Sequence, residues 1–318
     1  MDNSVLDAAK ALGVSPRRLS EEGLAGLALS LTVPAGADRP LLVAEARRQA
    51  GHRLLAEREV RGVLRALADA GIDAAPWKGL AVAEYWQSAS RPVGDLDLLL
   101  APQHLERAAE LLLSAGYRRA PEARAGLLRR GPTGVELLPP EGRVVTVDLH
   151  ERAFRSVGHR IETAPLLARS TPALLANAPV LRLDVVDHFH LLLVHAAKHA
   201  LTYAKWRLDL VAVASLLDAY QWSVLEQRIA LARTERPVAL AIAVLGPLAR
   251  TFQLAVAPTR ASVARIVTKA WSRDAASPAA LSKPERYLLE WALEPGLRAR
   301  ARMVAGIGEA WLRGLVIR

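Results

Sequence analysis

Apolar residues recur at three- and four-residue intervals from Val5 to Ile72, most regularly from Leu41 to Ala70, where Arg and Glu fill the outer positions. That spacing is one face of an α-helix. It predicts an N-terminal helical region, and Gly71 supplies the residue that ends it. The period then changes. Ile72 to Trp77 forms a short extended run that halts at Lys78-Gly79, and helix resumes from Leu80 through Trp86. Asp95 to Leu100, within GDLDLLL, is short, apolar and bounded by glycine, as a buried strand is. Pro102 opens a helix from Gln103 to Ser114, which Gly116 closes. Arg118 to Pro132 is irregular. Val135 to Leu138 and Arg143 to His150 then read as two strands joined by the tight turn PPEG. Past about residue 160 the strand signals fade, and from Val186 helix follows helix. Breaks are expected at Pro237, Pro258, Pro278, Pro284 and Pro295.

The order of elements predicts an α+β fold: a small mixed β-sheet flanked by N-terminal helices and a C-terminal helical domain. The corresponding boundaries are 1–71 for the N-terminal helical region, 72–160 for the α/β core and 161–318 for the helical domain. A chain of 318 residues is long enough for such a division.

Composition narrows the classes further. With 52% hydrophobic and 23% charged residues the chain is neither disordered nor collagen-like. Cysteine is absent, so disulfides, thiolate metal sites and a cysteine nucleophile are excluded. The opening MDNSVLDAAK has no apolar core of the kind a secretory signal carries, which makes the cytoplasm the expected compartment. Pro237 to Ala249, the most apolar stretch, is shorter than the roughly 18 to 20 residues of a membrane span and reads as a buried helix. The net charge of +10 invites a polyanionic partner. Only six of the 42 basic residues are lysine, however, in a chain rich in Ala, Leu and Val. The arginine excess therefore reads first as composition, and nucleic acid stays a weakly supported partner.

Candidate chemistry begins with the carboxylates. Alternate side chains of a strand share a face, so Asp95 and Asp97 project together while Leu96 and Leu98 enter the core. In VTVDLH, Val145, Val147 and Leu149 share one face, and Asp148 and His150 the other. Asp148 thus stands where a third carboxylate joins the pair. Like charges held so close call for a cation. Mg²⁺, which takes carboxylate, water and phosphate oxygens, suits the set. Three carboxylates can hold two such ions around an in-line displacement at phosphorus. Lys78-Gly79 adds an anion site, because free backbone N–H groups at a strand-to-helix turn attract phosphate and Gly79 lets it approach.

The run WKGLAVAEYWQSASRPVGDLDLLL followed by VTVDLH resembles the uncharacterised bacterial nucleotidyltransferase family of the polymerase-β-like superfold. The motif-bearing part covers roughly residues 72–155, and His195 to Leu217 is similar to the helical part of that family. The resemblance implies an NTP donor, two Mg²⁺ ions and transfer of a nucleoside monophosphate to an acceptor hydroxyl or phosphate with release of pyrophosphate. It makes Asp95, Asp97 and Asp148 the metal ligands and catalytic carboxylates, and places Gly79 in the phosphate-binding turn. Leu80 departs from the superfold's pattern, which prefers Ser or Gly there, and Lys78 or Arg91 would replace the missing hydroxyl. The acceptor is open: tRNA, protein, peptide or small molecule. The alternative is a catalytically inactive member that binds a nucleotide or a macromolecular partner.

Other polar residues gather around this frame. Pro92 biases Arg91 to an extended conformation, from which it either contacts phosphate or acceptor or forms a structural ion pair. Gly94 permits close approach to Asp95 or merely makes a turn. His150 orients Asp148, touches substrate or is structural. His195 and His199 lie at i and i+4 on one helical face with Lys198 between them, and they are assigned with Lys78, Gly79, Arg91 and Gly94 to nucleotide binding. Lys205 and Asp209 belong to the same helical wall. A zinc site at the histidines would lack the glutamate of an HExxH motif and any further ligand.

Overall fold

The computed structural model describes residues 4–31, 39–86, 91–121, 134–154, 158–254, 289, 291–295, 298 and 300–301. Three short helices, α1 (Ser4–Ala11), α2 (Pro16–Glu21) and α3 (Ala25–Leu31), precede the long α4 (Arg39–Asp69). Then come β1 (Ala74–Pro76), α5 (Leu80–Ala83), β2 (Asp95–Leu100), α6 (Leu105–Ser114), β3 (Arg118–Arg119), β4 (Gly134–Leu138) and β5 (Thr146–His150). After α7 (Thr163–Arg169) the chain makes β6 (Thr171–Leu175) and β7 (Ala178–Arg182). It continues as α8 (Val185–Lys198), α9 (Ala204–Ala214), α10 (Ala219–Ala232) and α11 (Glu235–Leu245). The α+β class is as expected. Among the described residues no helix is long and apolar enough to cross a membrane.

The main sheet runs β1-β2-β5-β4-β3. β2 and β5 are parallel neighbours and the other pairings are antiparallel. One face of the sheet presents Leu96, Leu98, Val145, Val147 and Leu149, and it packs on Val60, Val63, Leu64 and Leu67 of α4 and on Ala108, Ala109 and Leu112 of α6. The three leucines and two valines buried this way contribute roughly 1.5–3 kcal/mol each relative to exposure, so this contact fixes the height of β2 and β5. The second core joins α1, α3 and α8 to α11 around Phe189, Leu208 and Trp222, with Trp77 and Leu99 reaching it from the sheet. Two caps set helix starts in this half: Asp184 accepts from the Asp187 amide, and Asp218 and Gln221 form a reciprocal capping box.

The strands from Asp95 and Val135 and the helix closed by Gly116 stand where the pattern predicted them, the second strand beginning at Gly134. Four local expectations need correction. β6 and β7 form a hairpin where strand signals had faded. Its turn places Ala176 and Asn177 at φ +50° and +62° without the glycine that usually marks such a turn, and Pro172 and Pro179 interrupt the strand pattern. The helix from Leu80 ends at Ala83 rather than Trp86. There the chain leaves the helix, and Tyr85 meets His188 while Trp86 donates to Asp209. Pro237 does not break a helix but lies in the first turn of α11, where its missing N–H would have had no intrahelical acceptor. Arg118 and Arg119, read as irregular, extend the sheet by a two-residue strand. Pro258, Pro278 and Pro284 lie outside the described residues.

Candidate active site

The parallel register of β2 and β5 sets Asp97 beside Asp148, and the antiparallel register of β5 and β4 sets Glu136 on the other side of Asp148. Three carboxylates therefore stand in a row across the sheet on the face opposite the α4 core. Asp97 is almost fully buried, its side chain 1% exposed. One oxygen, Oδ1, pairs with the Lys78 ammonium and with His150 Nε2 at 3.1 Å. The other, Oδ2, is buried without a hydrogen-bond partner. Such an orphan is costly. Burial pushes the Asp97 carboxyl up, but the His150 hydrogen bond and the Lys78 charge outweigh it and hold it below the usual carboxylate range. Burial pushes Asp148 up to about 6, with the Asp97 and Glu136 charges adding to the rise and His150 and Lys78 offsetting part of it.

Donor atoms of Asp97, Asp148 and His150 lie within 4.8 Å of one another, a spacing that suits one cation. The fit rests on the orphaned Asp97 oxygen and on two neighbouring carboxylates whose repulsion a divalent ion would remove. Asp95 stands at the exposed start of β2 and lines the same cleft, outside that closest group. A glutamate from the opposite helix secures the second strand. Glu59 of α4 accepts from the backbone amides of Val144 and Val145 at 2.9 and 3.0 Å, just before Asp148's strand begins.

The Lys-Gly turn follows from backbone geometry. Gly79 caps α5 at φ +55°, ψ −116°, a conformation L side chains rarely adopt, and a Cβ there would stand 3.0 Å from the Asp95 carbonyl oxygen. Lys78, just before it, reaches over the Trp77 ring at 4.6 Å toward Asp97. Gly94 also lines the cleft, with open space around it.

These elements form the floor of a cleft of about 750 Å³. One wall carries His195, His199, Lys205 and Trp206 from α8, α9 and the turn between them. Burial, reinforced by Lys78 and His199, depresses the pKa of His195 well below its usual value, so its ring is neutral. Burial likewise lowers Lys205. Arg91 lines the cleft, but its guanidinium is in a buried bidentate pair with Asp209, at 2.7 and 2.8 Å. Lys198 lies over the Phe154 ring at 5.5 Å and is not among the lining residues.

The facing wall is one the helical pattern left to solvent. Glu45, Arg48, Gln49, His52 and Arg53, spaced at i, i+3, i+4, i+7 and i+8, turn one polar stripe of α4 into the cleft. Further along the same helix, Ala56, Val60, Val63, Leu64 and Leu67 are buried against the sheet. Glu136 was also missed, although strand alternation sets it opposite Leu137 and in phase with Asp148.

A mixed sheet that carries acids on adjacent parallel strands, with a glycine turn and a lysine above them and helices on either side, has the architecture of a nucleotidyltransferase. The chain belongs to the uncharacterised nucleotidyltransferase family, whose profile matches residues 3–249. Among curated proteins no sequence match is found. Two solved structures of the antibiotic-resistance factor ANT(2'')-Ia are similar. The solution structure gives a TM-score of 0.41 at 14% identity, covering 55% of this chain and 89% of the other. The crystal structure with adenylyl-2''-tobramycin gives 0.39 at 16%, covering 55% and 95%. The lincomycin-bound lincosamide antibiotic adenylyltransferase LnuA gives 0.37 at 15%, covering 50% and 97%.

Proposed function

We propose that this nucleotidyltransferase moves a nucleoside monophosphate from an NTP to the hydroxyl of a small polar acceptor, with Asp97 and Asp148 as the central metal ligands and Asp95 joining them when substrate is bound. The observation that carries this reading is the buried, unpartnered Asp97 Oδ2 beside Asp148 at the floor of the cleft. Mg²⁺ bound there would neutralise phosphate charge and lower the pKa of an attacking hydroxyl. The chain's own residues do the positioning. Lys78 and the Gly79 turn face the donor phosphates, and His150, through its bond to Asp97, holds that carboxylate in one orientation. Arg91 supports the wall through Asp209, while Gly94 leaves room beside Asp95. His195 and His199 line the donor's side of the cleft, with Lys198 behind them. The acceptor oxygen forms a bond to the α-phosphorus as the bond to pyrophosphate breaks, and its proton leaves to a carboxylate of the row or to water. Orientation and fixed charge supply most of the rate.

The acceptor enters against the α4 stripe. Asp and Glu outnumber Lys and Arg among the residues lining the cleft, in a chain whose net charge is +10. That excess lies in the three aspartates that Mg²⁺ would neutralise, whereas the α4 stripe offers Glu45, Gln49, Arg48 and Arg53, a mixed polar surface that suits a small polar acceptor.

A thermal-shift series with each NTP, with and without Mg²⁺, tests the donor half of the proposal. Mg²⁺-dependent stabilisation by at least one NTP, lost in Asp97→Asn, is expected. An equal response from wild type and variant would refute the assigned site, and stabilisation without turnover of any acceptor would favour the inactive nucleotide-binding alternative.

A further inference from the structure

The donor side of the cleft ends in a corner of rings. The Trp206 ring centroid lies 5.0 Å from that of His199, 5.5 Å from His195 and 4.6 Å from Tyr203. His195 in turn stands edge-on to Trp77 at 5.7 Å, and Trp77 edge-on to His150 at 6.1 Å. An unbroken series of rings therefore leads from the carboxylate row to Trp206. Most of the tryptophans in such contacts are core residues: Trp77 and Trp222 are buried. Trp206 differs, being only partly buried and lining the cleft.

The charges on that side are complementary to one class of ligand. Lys78 and Lys205 both line the cleft there, Lys205 immediately before Trp206 in sequence. A flat π-face joined to a run of negative charge is what a nucleotide presents, with phosphates for the ammonium groups and a base for the indole. The indole of Trp206 carries no charge and would meet the base through its π-face. The facing α4 stripe, with no aromatic ring other than His52, offers no such surface.

Resting on the function proposed above, we infer that Trp206 is the stacking platform for the donor base, with His199 beside it completing the edge of that subsite. Stacking tolerates every base, since each has a π-face. The platform accordingly sets nucleotide over inorganic polyphosphate, and the polar groups around it select among bases. Trp206 is a binding residue and takes no part in the chemistry at phosphorus.

Calorimetric titration of the full chain in Mg²⁺ tests this, with tripolyphosphate and with the four α,β-methylene NTP analogues as probes. Wild type is expected to bind at least one analogue more tightly than tripolyphosphate. Trp206→Leu should weaken that analogue roughly 10- to 100-fold and leave tripolyphosphate unchanged, while Trp206→Phe should keep most of the affinity. In wild type, the indole N–H resonance missing from Trp206→Phe should shift with nucleotide and stay in place with tripolyphosphate; this holds the test open if the leucine variant fails to fold. Equal loss for nucleotide and tripolyphosphate, unchanged nucleotide affinity in Trp206→Leu, or an unmoved indole resonance would each overturn the platform while leaving the metal site intact. Binding of neither probe by wild type would instead overturn the function on which it rests.

Discussion

Replacing Asp148 by asparagine should stabilise the metal-free protein and abolish its response to Mg²⁺. Burial and two neighbouring carboxylates raise Asp148 from 3.8 to about 6. A raised carboxyl binds its proton more tightly in the folded chain than in the unfolded one. Its ionisation therefore costs stability, a cost absent when both states are protonated below the unfolded value and complete once pH rises above the folded value. At 1.36 kcal/mol per unit the shift corresponds to about 3 kcal/mol, and partial exposure of the side chain reduces this to roughly 1.5 kcal/mol. Asparagine keeps the shape and removes the charge. Denaturant titrations in a chelator should give Asp148→Asn a stability about 1.5 kcal/mol above wild type at pH 7.5, with the gap closing toward pH 4. Mg²⁺ and NTP should reverse the order, because only wild type gains from binding. A variant less stable than wild type at pH 7.5 in chelator, or a gap independent of pH, would refute the electrostatic account of the carboxylate row.

Four further outcomes follow from particular contacts. Arg91→Ala should lose about 3–5 kcal/mol in denaturant titration, because it strands the buried Asp209 carboxylate, and Arg91→Lys should restore little, since lysine cannot make the fork; a variant of normal stability that bound NTP poorly would make Arg91 a phosphate ligand. Gly79→Ala should lose about 1–3 kcal/mol from its φ of +55° and the Asp95 carbonyl at 3.0 Å, and it should weaken NTP binding in calorimetry. Burial holds His188 and His190 neutral, with pKa values lowered to about 4 and about 3. Protons then favour the unfolded chain below its ordinary 6.5, so each costs about 2 kcal/mol of stability by pH 5; denaturation midpoints at pH 7 and 5 should show a smaller difference in His190→Gln. Chelation should abolish nucleotide transfer, measured by pyrophosphate release, and Mg²⁺ should restore it in wild type and not in Asp97→Asn.

Most of the main-sheet frame was legible because it obeys local rules. Asp95 to Leu100 is a strand because two acids alternate with leucines and a glycine precedes them, and Thr146 to His150 shows the same alternation. Gly71 and Gly116 end helices at positive φ, as glycine allows. The Lys-Gly turn was recognisable on the same ground. The hairpin at β6 and β7 was not, since its turn is built from Ala176 and Asn177 and its strands contain prolines that sheet interiors exclude.

What the sequence determined by itself was four of the five strands of the main sheet and the face on which Asp95, Asp97 and Asp148 lie, because side-chain periodicity is a property of a single strand or helix. The register between two strands is not. Only the tertiary structure set the registers of β2 on β5 and of β5 on β4 that bring Glu136 into the row and His150 to Asp97. It also turned the polar stripe of α4 from a solvent face into a cleft wall and bound Arg91 to Asp209, 118 residues away. Long-range electrostatics and packing decide those contacts: a buried guanidinium must find a carboxylate wherever the fold places one, and no local spacing records where that will be.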